Sequence, residues 1–436
     1  MGSRSFRFNS LALATSMALG LSMSGAWADN NQATVKQSGT DNSSTITQSG
    51  DGNTVKLDVS GTEIGIYDLG SEASIVYANN GEIQQTGAQN QVDASLKGTG
   101  TAFGVVQLGE RNRVAGLAAD GHRAQIAVRQ EGNDNQVSQM NLAGTYATAG
   151  IRQVGDGNTG SLSAKGSTHV GARIDQEGDA NTAVVQAIGE SSIARAHVRG
   201  NSNVTNAIQT GGEHNHASAV AEGDANLVEV IQTGSLLDGQ AAAVGLGNLL
   251  GIVQTGNNNG GYTQTHGDNN VSTVSQIGND NGSTALIFGN DNTSSLTQTG
   301  NGNSALLMGG LGAALSVQGN TVTLTQSGDQ NDGRIQLRGA NNSVTATQTG
   351  NAHSFYAGLQ GNANQVLSSQ DGLSHSLHVR ITGNDNTLQT SQEGTSHAIT
   401  ATVTGQNNVA SVSQSGSFNT ASFSQIGTGN SLQISQ

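Results

Sequence analysis

Gln414-Ser415-Gly416-Ser417-Phe418-Asn419-Thr420-Ala421-Ser422-Phe423-Ser424-Gln425 carries the pattern that decides the fold. A glutamine is followed two residues on by glycine and five on by asparagine, and a glutamine returns after 11 residues. The triplet Gln-x-Gly occurs eighteen times, with its glutamines at Gln37, Gln48, Gln85, Gln107, Gln130, Gln153, Gln176, Gln209, Gln232, Gln254, Gln276, Gln298, Gln326, Gln348, Gln370, Gln392, Gln414 and Gln425. Most steps resemble those from Gln85 to Gln107 and from Gln107 to Gln130, and the steps at both ends, such as Gln414 to Gln425, are half as long. Between many of them lies a second half that keeps Gly-x-x-Asn but puts an aliphatic residue in the glutamine's place. Leu337-Arg338-Gly339…Asn342 and Ile381-Thr382-Gly383…Asn386 are examples. The unit is an 11-residue half-repeat, usually paired as a Gln half and an aliphatic half.

Inside each half the pattern has period 2. Ile46, Val128, Ile151, Val274, Leu296 and Leu324 each stand two residues before a motif Gln, and the intervening positions are Ser, Thr or charged. That alternation predicts a half-buried strand with Gln on the aliphatic face. The following Gly-x-x-Asn reads as a turn, where Gly supplies positive φ and Asn or Asp tolerates left-handed geometry. Strand–turn–strand–turn over two successive halves is one coil of a two-sided solenoid. The fold expected is all-β: a β-solenoid of about eighteen two-strand coils. Coils stack at about 4.8 Å, so one side chain recurs at that spacing. A carboxamide offers both a donor and an acceptor, so a column of amides satisfies itself along the axis. The eighteen glutamines, with Asn281, Asn303, Asn331 and Asn419, are the expected ladder rungs.

Three faults interrupt the period. Residues 60–78 lack the motif and carry roughly four extra residues; residues 304–319, around Gly309-Gly310-Leu311-Gly312, add about six. The step from Gln176 to Gln209 spans three halves, which reverses the side that the glutamines occupy.

Composition closes off most alternatives. Of the 436 residues only 34% are hydrophobic and 3% aromatic, too few for conventional cores in a chain this long. Disordered chains are usually rich in Pro and charge, whereas this one has no Pro and 11% charged residues. Residues 1–28 read as a secretory signal: Arg4 and Arg7, the apolar run Leu11 to Met23, then Ala26-Trp27-Ala28 before Asp29, with cleavage expected between Ala28 and Asp29. The repeat domain is then 29–436. Cleavage removes Arg4 and Arg7 and moves the net charge from −14 to about −16. That acidity disfavours nucleic acid as a primary ligand. No second apolar stretch exists, so membrane insertion is not expected. With no Cys, export is not accompanied by disulfides.

The repeat resembles that of the curlins, which approximates Gln-x-Gly-x-x-Asn-x-Ala-x-x-x-Gln. Gln414-Ser415-Gly416…Asn419…Ala421…Gln425 matches it, and Gln37-Ser38-Gly39…Asn42…Ser44…Gln48 matches with Ser for Ala. The resemblance implies a secreted, self-assembling structural subunit of extracellular curli-like amyloid fibres on a Gram-negative bacterium, serving biofilm matrix and surface adhesion. It implies a homopolymer, other curlin-type subunits and a dedicated secretion apparatus as partners. Two departures stand out: there are several-fold more repeats than in the familiar curlins, and motifs begin at Gln37, with no unstructured targeting segment before them. Strand pattern running from Ala33 to Gln436 leaves coil edges that would template another copy.

The chemistry-bearing residues fit this structural reading. His214, His353, His375 and His397 each fall five residues after a motif Gln, and the last three recur at one coil's spacing. They read as flat substitutes for the Asn rung; a pH-sensitive or metal-binding column is the rival reading. Turn residues Asp268, Asp280, Asp291 and Asp385 lack the Gly-Gly-x-Gly-x-Asp unit of calcium β-rolls, so no metal or cofactor is expected. Nucleophile-elbow, H-E-x-x-H and P-loop motifs are missing, and no enzyme is expected. The alternative function is a monomeric β-solenoid adhesin or glycan- or ice-binding surface built on outward Thr, as in Thr321-Val322-Thr323-Leu324-Thr325.

Overall fold

A computed structural model describes residues 4–9, 30–39, 42–60, 81–97, 99–120, 122–310 and 317–436. The chain is an all-β, parallel two-sheet β-solenoid of about 17 coils with roughly 22 residues per turn. It divides into two compact units, Met1–Ala221 and Glu222–Gln436.

In the first unit, consecutive strands alternate between two sheets, and each strand pairs in parallel with the strand one coil on. Thr148–Val154 lies on Gly171–Glu177 with Ile151 opposite Ile174 and Gln153 opposite Gln176. Thr159–Thr168 lies on Thr182–Ile188 in the other sheet. One strand departs from this rule: Arg4–Asn9, which includes the Arg4 and Arg7 of the expected signal, runs antiparallel to Ser43–Ser49. Leu11 to Met23, Ala28 and Asp29 lie outside the described residues, as does the interior of the irregular segment 60–78.

The second unit repeats the design. Thr293–Thr299 pairs with Thr321–Ser327, setting Leu296 against Leu324 and Gln298 against Gln326. The strand Thr293–Thr299 buries Ser294, Leu296 and Gln298 and leaves the residues between them at the surface. Each coil therefore has a core only about three side chains deep per sheet. Burying Leu296 or Leu324 contributes roughly 2–3 kcal/mol each, and only while coils lie above and below.

The first fault, at 60–78, adds no coil. Gln48 and Gln85, 37 residues apart, stand on adjacent coils, so no coil lies between the strands that flank the fault. The fault around 304–319 behaves likewise: Gln298 and Gln326 are 28 residues apart and directly stacked.

Candidate functional site

The candidate site is the set of side-chain columns inside the solenoid. In the first unit, Gln48, Gln85, Gln107, Gln130, Gln153 and Gln176 form one column, each Nε2 donating to the next Oε1 at 2.8–2.9 Å. The column stops at Gln176 because Val198 takes the next rung. Gln209 lies in the opposite sheet, beside Ala187, so the three-half step moves the motif from one sheet to the other. In the second unit the column runs Gln232, Gln254, Gln276, Gln298, Gln326, Gln348, Gln370, Gln392, Gln414 and Gln436, at 2.8–3.2 Å.

Each amide also ties the two sheets together. Gln254 Nε2 donates to the carbonyl of Asp238 at 3.1 Å, in the facing strand, and to that of Asn259 at 3.0 Å. The buried amide is therefore satisfied on both its nitrogen and its oxygen, as a polar core requires. Two expected rungs stand off the columns. Gln37 is half-buried opposite Val59 and donates to Ser44 Oγ at 2.6 Å. Gln425 faces Val403 with its buried Oε1 unpartnered. In both the neighbouring coil presents an aliphatic half at that height.

The asparagines do different work from that expected of a turn residue. Asn281, Asn303 and Asn331 are buried and have ordinary φ; the left-handed positions are the Gly of the motif and the residue just before the Asn, such as Asp280 at φ 58°. Asn281 Nδ2 donates back to Asn259 Oδ1 at 3.1 Å and forward to the Gly300 carbonyl at 2.8 Å, while its Oδ1 accepts from Asn303 N at 3.1 Å. The Asn column thus runs with its donors pointing opposite to those of the Gln column. Only glycine suits the first corner position: a Cβ on Gly350 (φ +112°) would sit 1.9 Å from the Gly372 carbonyl oxygen.

His353, His375 and His397 continue the column of Asn259, Asn281, Asn303 and Asn331, and all three are buried. Their rings stack at centroid distances of 4.9 and 5.0 Å, and Asn419, half-buried, follows with its N–H on His397 Nδ1 at 3.2 Å. His214 does not join a column. It is exposed at φ 56°, and Asn215 is the buried residue there, because Gly211-Gly212 lengthens that corner by one residue. Every ring nitrogen of the three stacked histidines is engaged with backbone, which leaves no lone pair for a metal. Among the described residues no group of three His, Asp or Glu is placed to hold one.

Two features were not foreseen. The second corner of the first unit is lined by Thr101, Ala124, Ala147, Val170 and Ser192, all buried, in place of an Asn column. The missing Gly-x-x-Asn in those halves was the available signal. The other is a charge cluster on the outer face across three coils. Asp175, whose side chain is 12% exposed, meets Arg152 at 2.9 Å, Arg173 at 3.1 Å and His197 at 3.5 Å. Burial alone would push its carboxyl up, but hydrogen bonds from His197, Arg152 and Arg173 outweigh it and hold the pKa well below the ordinary carboxylate value.

Comparison with known families agrees with these repeats. The Curlin associated repeat matches residues 28–58, 318–350, 383–416 and 405–436. None of the curated proteins matches the chain. Among the described residues no helix is long and apolar enough to cross a membrane. Stacked Gln rungs and left-handed glycine corners recur in the four matched segments, and there the chain is similar to the curlin associated repeat.

Proposed function

We propose that the chain is an exported structural subunit that self-assembles into extracellular curli-like amyloid fibres of a biofilm matrix and promotes surface adhesion. The observation that carries this reading is the second-unit Gln column. Ten identical rungs, Gln232 to Gln436, repeat one donor–acceptor geometry, so each coil offers the next the surface it itself sits on. Such a surface is self-complementary, and coils of another copy fit it as well as coils of the same chain. The curlin repeats support a structural, non-enzymatic role. Homopolymer contacts, partner subunits of the same type, a secretion apparatus and a signal cleaved between Ala28 and Asp29 belong to the same proposal. Incubating the purified chain 29–436 tests it. Thioflavin-binding, protease-resistant fibres that seed fresh protein are expected; a chain that stays monomeric for days at high concentration overturns it.

A second reading has its own observation. Three adjacent strands present only hydroxyl side chains outward and in register: Thr293, Ser295, Thr297 and Thr299; Thr321, Thr323, Thr325 and Ser327; Ser343, Thr345, Thr347 and Thr349. With ranks about 4.8 Å apart across the coils, this flat lattice suits a regular hydroxylated surface such as a crystalline glycan or ice. Co-sedimentation with insoluble polysaccharide, lost in T323K/T325K, would favour it.

A further inference from the structure

We propose that His353, His375 and His397 form an acid-sensitive clasp that holds the coils from Thr349 to Asn419 together at neutral pH and releases them when the rings are protonated. The hydrogen bonds fix the protonation state each ring needs. His375 N donates to His353 Nδ1 at 3.1 Å, His397 N to His375 Nδ1 at 3.2 Å, and Asn419 N to His397 Nδ1 at 3.2 Å. A backbone N–H can only donate, so each Nδ1 carries no proton. On the other side, His353 Nε2 lies 2.9 Å from the Thr349 carbonyl, His375 Nε2 2.9 Å from that of Asp371, and His397 Nε2 2.9 Å from that of Glu393. A carbonyl can only accept, so each Nε2 carries the proton. All three rings are neutral Nε2–H tautomers, locked from both sides.

A second proton has one place to go, Nδ1. There it would face the backbone N–H of the next coil, turning a hydrogen bond into a contact between two donors. It would also set cations in a stack with centroids 4.9 and 5.0 Å apart. An Asn rung at the same height has no such liability, since its Oδ1 accepts at every pH. Burial pushes the His353 and His375 pKa values down, with Asp371 and the backbone carbonyls pulling the other way and, for His375, its two ring neighbours adding to the fall. The charged groups around the stack do not relieve it. Asp329, Asp332, Asp371 and Glu393 on the flanking strands and corners are exposed, and so are Arg334, Arg338, His378 and Arg380 of the facing sheet. For His353 and His375 the sign follows: the folded state favours the neutral ring, so the contribution is full above the ordinary histidine pKa and is lost as pH falls below it. This device does not depend on fibre formation.

Hydrogen exchange of the full chain at pH 7.5 and pH 5.0, corrected for the intrinsic pH dependence of exchange, tests it. Protection across 349–419 is expected to fall at least tenfold at pH 5.0 relative to 259–331, where the same column is asparagine. The variant H353N/H375N/H397N is expected to lose that difference. Should the triple variant not fold, H375N, which separates the two remaining rings, must show a smaller fall than the natural chain. Equal changes in both segments, or a fall that survives the substitutions, overturns the proposal.

Discussion

Gln254 Nε2 lies 2.8 Å from Gln276 Oε1, and the two residues are 22 positions apart in the chain. The same contact is repeated on both sides, from Gln232 and to Gln298, so each amide is both donor and acceptor in one line. Substituting Gln276 by Leu removes a rung of nearly the same size. Gln254 keeps its two carbonyl partners, but the buried Gln298 Oε1 loses its donor. A loss of about 2–3 kcal/mol is expected, read as a lower denaturant midpoint.

Glycine corners should divide sharply by what lies beside them. Gly350 and Gly157 both have positive φ, but a Cβ at Gly350 meets the Gly372 carbonyl at 1.9 Å, whereas one at Gly157 meets nothing within 4 Å. Gly157→Ala is expected to cost only about 1–2 kcal/mol, the ordinary left-handed penalty. Gly350→Ala must displace the backbone of the next coil and should cost well over twice that. Parallel chemical denaturation of the two variants checks the ratio.

Thr390 points into the core between Ser368 and Val412, with its Oγ1 buried and unpartnered. Valine has the same shape without the stranded hydroxyl. Thr390→Val is expected to raise stability by about 1 kcal/mol, measured as a higher melting temperature. A decrease would show that the hydroxyl is satisfied in solution.

The Asp175 carboxyl has a folded pKa below its unfolded one, so its stabilisation is present above the ordinary carboxylate value of about 3.9 and fades as pH falls beneath it. Asp175→Asn is expected to cost about 2 kcal/mol at pH 7, because Arg152 and Arg173 lose a buried charged partner. The variant should lose less stability than the natural chain between pH 4 and pH 2. Thermal unfolding across that range, for both proteins, is the measurement.

Sequence was most informative where identical residues recur at one spacing. The solenoid and its parallel register follow from Gln-x-Gly returning once per pair of halves, because only stacked coils bring such residues to one line. The longer step from Gln176 to Gln209 carries the change of sheet in the same way. What escaped reading was whatever depends on a shift of one residue or on pairing between unlike ones. His214 and Asn215 are neighbours, and a single extra corner residue decides which is buried. Asp175 finds Arg152 one coil back, and their separation in the chain means nothing until the local coil length is known. Likewise the bare corner at Ala124, Ala147 and Val170 looks like degenerate sequence until the coils are stacked.

The opposed running of the two amide columns has one more consequence. A Gln rung donates to the side chain of the coil ahead, as Gln254 does to Gln276, while an Asn rung donates to the side chain of the coil behind, as Asn281 does to Asn259. A coil's upper and lower faces are therefore keyed like plug and socket at two separate points. A coil offered upside down would meet donor with donor at one point and acceptor with acceptor at the other. Where both columns run side by side, the stack accordingly proofreads direction.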